Sequence, residues 1–182
     1  MHFFRERHLR ACYTTFWPVS KLLDFLKSWH PIQNLSLKQL TLKTIALVAL
    51  TSSDRGQTLH LASIKNMVLS DNKIQFVIRD RVKGTRKTLK PTIISCISSN
   101  SEPLDVYSYM KAYIQKTESS RKEHSQLFLS WINKKPVTRQ TLARWLKLVL
   151  GFAGIDTSKF KAHSYRGEVC QKPSREALLY LR

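Results

Sequence analysis

Cysteine is scarce here: three residues, Cys12, Cys96 and Cys170, in a chain of 182. They are too few and too scattered for a disulfide framework or a zinc knuckle. Histidine does not fill that gap, because His60 and His124 have no partners at metal-ligand spacing. Cys170 reads as inert. Long apolar runs are missing as well. The longest, Ile45–Leu50 and Leu148–Ile155, fall far short of a bilayer span. There is no internal repeat and no low-complexity tract. The first residues place Arg5, Arg7 and Arg10 near Phe3 and Phe4, but no apolar stretch follows, so a secretory signal is not expected. A mitochondrial presequence is the minor alternative.

Acidic residues are also few. Twelve Asp and Glu stand against 31 Lys and Arg, a net charge of +19. Such a chain repels itself, and a polyanion is its natural partner. Nucleic acid comes first and an acidic membrane surface a distant second. With 42% hydrophobic residues, the chain can still bury a core, so it is not a solvated basic tail. Its length fits one domain with a small extension.

The apolar spacing predicts a helix over Val19–Trp29, with Ser20 as a cap and Pro31 beyond its end. A second helix is expected over Ser36–Leu50. It is apolar on more than one side, which suits the centre of a core. Thr51-Ser52-Ser53-Asp54 should interrupt it, and Gln57–Leu61 reads as a short helix or turn. From Ile64 the period changes. Ile74, Phe76 and Ile78 alternate as in a strand, between a turn at Ser70-Asp71-Asn72 and another at Lys83-Gly84-Thr85. Leu89–Ile97 resumes a β-branched run, so residues 64–97 read as a three-stranded antiparallel sheet. Helical spacing returns after Pro103, and Thr117–Ser125 reads as a polar loop. Leu127-Phe128-Leu129 reads as a short buried segment. Thr138 can cap a helix to Leu150 with Gly151 at its end, burying Leu142, Trp145, Leu146 and Val149. The expected class is α+β, mostly α, with one small sheet. Trp17, Trp29, Trp131 and Trp145 read as core or groove-wall aromatics.

The basic residues are unevenly spread. Arg79, Arg81, Lys83, Arg86, Lys87 and Lys90 crowd one hairpin, opposed there only by Asp80. On a β-hairpin they would form a finger able to reach a phosphate backbone. The bland alternative is a solvated tip. Three further pieces stand apart. Arg55 follows the apolar helix, Lys83 sits at the hairpin turn, and His163-Ser164-Tyr165-Arg166 comes late. His163 and Arg166 would share a helix face. Each piece is weak alone.

Together, and in this order, they resemble the catalytic domain of tyrosine recombinases, and most of all those of DIRS- and Crypton-type eukaryotic mobile elements. The resemblance spans residues 13–167. It is carried by Leu40-Thr41-Leu42-Lys43, Arg55-Gly56-Gln57-Thr58-Leu59-His60-Leu61, Lys83-Gly84-Thr85-Arg86, Pro136-Val137-Thr138, Arg144-Trp145, Ala153-Gly154-Ile155-Asp156-Thr157 and Phe160–Arg166. The resemblance implies a helical DNA breaking-rejoining domain. In that family a tyrosine attacks a DNA phosphodiester and stores the bond as a phosphotyrosyl link, with neither metal nor ATP. By resemblance Arg55 and Arg166 would clamp the phosphate, as planar, permanently charged guanidiniums can. Lys83 would protonate the departing oxygen, and His163 would assist proton transfer at the nucleophile. A shift of hairpin register would give the acid's role to Lys87 instead. Thr58 stands where many members carry Glu. Arg79, Arg81, Arg86, Lys87 and Lys90 would contact DNA.

The resemblance also implies double-stranded DNA as partner, oligomers on that DNA, no cofactor, no membrane and a nuclear location. The domain plan it suggests is an N-terminal extension over 1–18 and the catalytic domain over 19–182, cut short at its C-terminus. The family's nucleophile lies well beyond the His-x-x-Arg motif, after a helix and a His or Trp. Here 16 residues follow Arg166, with no His or Trp, and Pro173 falls where that helix belongs. Tyr180 comes too early and, like Tyr165, reads as a packing residue. The nucleophile is thus unassigned. The competing expectations are a non-catalytic DNA-binding remnant or domesticated binder, and a chain whose exposed core folds poorly.

Overall fold

A computed structural model describes residues 17–52, 56–79, 91–99, 101–162 and 164–165, without the side chains of Gly56 and Gln57. Among the described residues five α-helices and one sheet follow in order: α1 (Val19–Ser28), α2 (Leu37–Ser52), α3 (Gly56–Leu61), β1 (Met67–Ser70), β2 (Lys73–Ile78), β3 (Thr92–Ile97), α4 (Val106–Glu118) and α5 (Arg139–Phe152). The α+β, mostly α class is as expected.

α2 is the axis of the core. Every residue from Leu40 to Leu50 is buried, so the absence of a polar side reflects contact all round. α4, α5 and β3 pack against it. Its start is a reciprocal cap. Ser36 Oγ accepts from Gln39 N (3.3 Å), and Ser36 N donates to Gln39 Oε1 (3.1 Å). Its end runs into the expected interruption: Thr51 and Ser52 are still helical, and Thr51 Oγ1 donates back to Leu47 O (3.0 Å). Ser20 is not a cap. α1 starts at Val19, with Pro18, two residues before Ser20, at the cap position and no side-chain cap bond.

The sheet has the order β1-β2-β3, antiparallel throughout. Ile74, Phe76, Ile78, Ile94 and Cys96 form its buried side, packed on α2 and α4. Residues 64–66, expected in the first strand, form a short 3-10 turn before it. The turn expected at Lys83-Gly84-Thr85 lies outside the described residues.

α4 does not begin at Pro103, which sits in a 3-10 turn over Glu102–Leu104. Asp105 is the cap. Its carboxylate is almost fully buried and accepts from Ser99 N (2.9 Å) and Ser108 N (3.1 Å) as well as Ser108 Oγ. Asp105→Ala is expected to cost about 2 kcal/mol, the upper end for a helix cap, because two backbone donors lose their partner at once. Urea denaturation of the variant checks it, and a loss within error of zero would remove the cap from this account.

α4 also runs further than the polar loop predicted from Thr117, ending at Glu118 with Thr117 buried. α5 is capped by Thr138 as expected, with Thr138 Oγ1 accepting from Thr141 N (3.2 Å). Its other end differs. Gly151 is still helical, and Gly154 takes the left-handed conformation (φ +71°). Gly154 N donates to Gly151 O and Ile155 N to Leu150 O (both 3.0 Å), while Ile155 is buried. Trp17, read from the sequence as a core or groove-wall aromatic, belongs to the core. No helix among the described residues is long and apolar enough to cross a membrane.

Candidate functional site

Arg55, Lys83, His163 and Arg166 lie outside the described residues, as do Arg81, Arg86, Lys87, Lys90 and Tyr180. Arg79 is described. It is exposed and directly follows the last residue of β2, on the arm that enters the basic hairpin. The segments that carry the other residues are described only in part.

Two of those segments are flanked by residues seated on α5. Arg55 directly precedes α3, whose Thr58 and Leu59 are buried and which packs on α5. The exit of α3 is zipped to a distant stretch of chain. Leu127 N donates to Ala62 O, and Ile64 N to Ser125 O (both 2.8 Å). Gln126 Nε2 donates to Val137 O (2.8 Å) and lies 3.2 Å from His60 Nδ1. Arg121, itself buried, ties the same stretch down through Gln126 O and Leu127 O (both 2.8 Å).

His163 and Arg166 bracket Ser164 and Tyr165, and both bracketed residues are buried. Tyr165 Oη donates to Leu146 O in α5 (3.2 Å), and its ring meets Trp17 edge-on at 5.7 Å. Burial pushes the phenol pKa far up, so the hydroxyl stays a proton donor. The packing role expected for Tyr165 is what the structure shows. Tyr107, Tyr109 and Tyr113 are buried too, so no described tyrosine is placed to attack a large substrate.

The electrostatics of α5 carry a feature that sequence reasoning left unused. Between His124 and Ile155 there is no acidic residue, and Lys134, Lys135, Arg139, Arg144 and Lys147 fall within that stretch. Arg139, Arg144 and Lys147 are exposed, opposite the buried Leu142, Trp145, Leu146 and Val149. Among the described residues the ion pairs are Lys27–Asp24 (3.1 Å) and Lys159–Asp156 (3.7 Å), and neither neutralises α5. The signal was present as basic residues at helical spacing, on the side the apolar pattern leaves to solvent. Unneutralised exposed cations on a rigid helix suit phosphate contact.

No group of three His, Cys, Asp or Glu side chains is placed to hold a metal among the described residues. Cys96 is buried, and burial raises its thiol pKa to about 12, so it offers no nucleophile at neutral pH.

Several solved structures share this architecture. The XerH site-specific recombinase bound to difH substrate, in a pre-cleavage complex, superposes with a TM-score of 0.60 at 14% identity, over 83% of this chain and 39% of that one. The same recombinase on palindromic difH substrate, in a post-cleavage complex, gives 0.60 at 14% identity over 83% and 38%. XerA recombinase gives 0.59 at 14% identity over 87% and 49%. The chain has the tyrosine-recombinase fold and spans less than half the length of each of these structures. No protein-family model matches the chain, and no curated protein matches it.

Proposed function

We propose that this chain is the catalytic-domain portion of a mobile-element tyrosine recombinase, acting on double-stranded DNA in the nucleus as part of an oligomer. The observation that carries this reading is the recombinase fold, with α5 supporting both α3, which follows Arg55, and Tyr165, which sits between His163 and Arg166. On that support Arg55 and Arg166 would clamp one phosphate. A tyrosine oxygen would bond to phosphorus as the bond to the 5′-oxygen breaks. His163 would take part in removing the phenol proton, and Lys83 or Lys87 would protonate the departing oxygen. Every described tyrosine is buried, so the attacking oxygen must come from elsewhere in the protein or from a partner.

Two measurements test this. Arg166→Ala should weaken binding to a labelled duplex about tenfold or more, the effect of removing a charge-assisted phosphate interaction. Exchanging Arg79, Arg81, Arg86, Lys87 and Lys90 for Gln should flatten the salt dependence of binding, by about 0.9 in log–log slope for each phosphate that is no longer neutralised. An affinity that does not change with salt would overturn the electrostatic part of the proposal.

The burial of the described tyrosines favours a second reading, a DNA-binding remnant that no longer cleaves. Trapping on a duplex with a nicked scissile strand separates the two. A covalent protein–DNA adduct supports the recombinase, and binding without an adduct supports the remnant.

A further inference from the structure

The turn that leads into α5 is unusually well fastened for a surface loop. Leu129 and Pro136 pair antiparallel across its base. Ser130 N donates to Lys135 O (2.9 Å) and Lys134 N to Ser130 O (3.0 Å). Inside the turn, Ser130 Oγ accepts from Ile132 N (3.3 Å), and Asn133 Oδ1 accepts from Lys135 N (3.1 Å). Lys134 is left-handed (φ 59°), and its Nζ donates to Trp131 O (2.8 Å). Trp131 stacks on Trp145 of α5, with ring centroids 4.3 Å apart and planes 28° apart.

One side chain gains nothing from all this. Ile132 is 83% exposed, more than any other large apolar residue among those described. Lys135 is exposed beside it, and the acid-free basic stretch continues along α5. An aliphatic side chain held outward on a rigid, cationic turn calls for a partner with an apolar recess between anionic walls. A duplex groove is built that way, with sugar and base edges lying between two rows of phosphates. A membrane would need a broader apolar face than one isoleucine. A protein partner would need a hydrophobic socket with an acidic rim.

We infer that this turn is a groove-contact element, with Ile132 seated against sugar and base edges and Lys135 on a flanking phosphate. The inference rests on the DNA reading above and adds an apolar contact to a surface otherwise read by charge. Because the turn is already ordered, docking it costs little conformational entropy.

The test titrates the full chain with a labelled mixed-sequence duplex at several salt concentrations. Ile132→Ser should weaken binding about tenfold, as expected for partial burial of one aliphatic side chain. Its salt slope should stay unchanged, since the substitution removes no charge. Ile132→Leu should keep the wild-type affinity. Lys135→Gln should lower the slope by about one. Thermal melts should match the wild type for all three, as their side chains project to solvent. If Ile132→Ser binds like the wild type, the groove contact is overturned while the DNA reading stands. If Ile132→Ser shifts the oligomeric state and leaves DNA affinity untouched, the tip is a protein contact and the inference is overturned. If the wild-type chain binds no duplex at any salt concentration, both readings are overturned.

Discussion

Tyr165→Ala is expected to cost about 3–5 kcal/mol of unfolding free energy, the range for truncating a buried aromatic residue. The ring is 2% exposed and meets Trp17 edge-on. The alanine variant would leave a cavity against α5 and would also remove the hydroxyl that donates to Leu146 O. Tyr165→Phe separates these contributions. It keeps the ring and removes a single hydrogen bond, so it should cost only about 1 kcal/mol. The functional consequence follows from position. Tyr165 is the buried aromatic of the two residues between His163 and Arg166, and on the proposed function its loss would free both from their support. Phe should therefore bind duplex DNA almost like the wild type, and Ala should bind like Arg166→Ala. Urea denaturation and duplex titration of the two variants provide the check. If Ala cost less than about 1 kcal/mol, Tyr165 would not be the anchor described here.

How much of this was legible in the sequence differs between the fold and the site. The α2 segment announced itself by being apolar all round, and β2 by strict alternation of Ile74, Phe76 and Ile78. The Thr138 cap was legible because capping depends on residues only three positions apart. The misreadings came from choosing between neighbouring candidates of similar propensity. Pro103 can start a helix, but Asp105 satisfies more backbone donors, and the helix starts there. Gly151 and Gly154 can each end a helix. The burial of Ile155 favours the turn at Gly154, and that burial is a tertiary fact.

The candidate site was legible only as separated fragments. Arg55, Lys83, His163 and Arg166 come from three distant stretches, and no local period connects them. The resemblance to a recombinase family supplied that connection. What the structure adds is the support that two of those stretches share. It depends on contacts such as Tyr165 to Leu146 and Leu127 to Ala62, which no local pattern encodes. The basic outer side of α5 is a different case. Its spacing was visible, but the helix was read for what it buries rather than for what it shows.

Lys43 should make the folded state gain stability as pH rises from about 7 to 9. It lies within α2 with no accessible surface, and its Nζ donates to Trp29 O and Tyr109 Oη (both 2.7 Å), 4.0 Å from the Tyr109 ring centroid. No carboxylate pairs with it among the described residues. Burial lowers its pKa from 10.5 to about 7. The bonding agrees, since a neutral amine has two hydrogens for these two oxygens, and an ammonium would carry a third. The unfolded chain keeps the ordinary value of about 10.4. Below pH 7 both states hold the proton, and the penalty for burying charge is fully present. Above pH 7 the unfolded state binds more protons, so stability rises. Cys96 and Tyr109, both raised to about 12 by burial, act in the opposite sense once their unfolded counterparts begin to ionise, which ends the rise near pH 9. Each pH unit in this window is worth at most about 1.4 kcal/mol, so a gain of about 2 kcal/mol is expected across it. Lys43→Met should flatten the profile and stabilise the protein at pH 6. It leaves no orphaned group, because Tyr109 Oη already donates to Trp29 O (3.2 Å) and meets His30 Nδ1 (3.2 Å). Chemical denaturation of both proteins from pH 6 to 9 decides the matter. A wild-type profile as flat as that of the variant would mean that Lys43 folds with its charge intact.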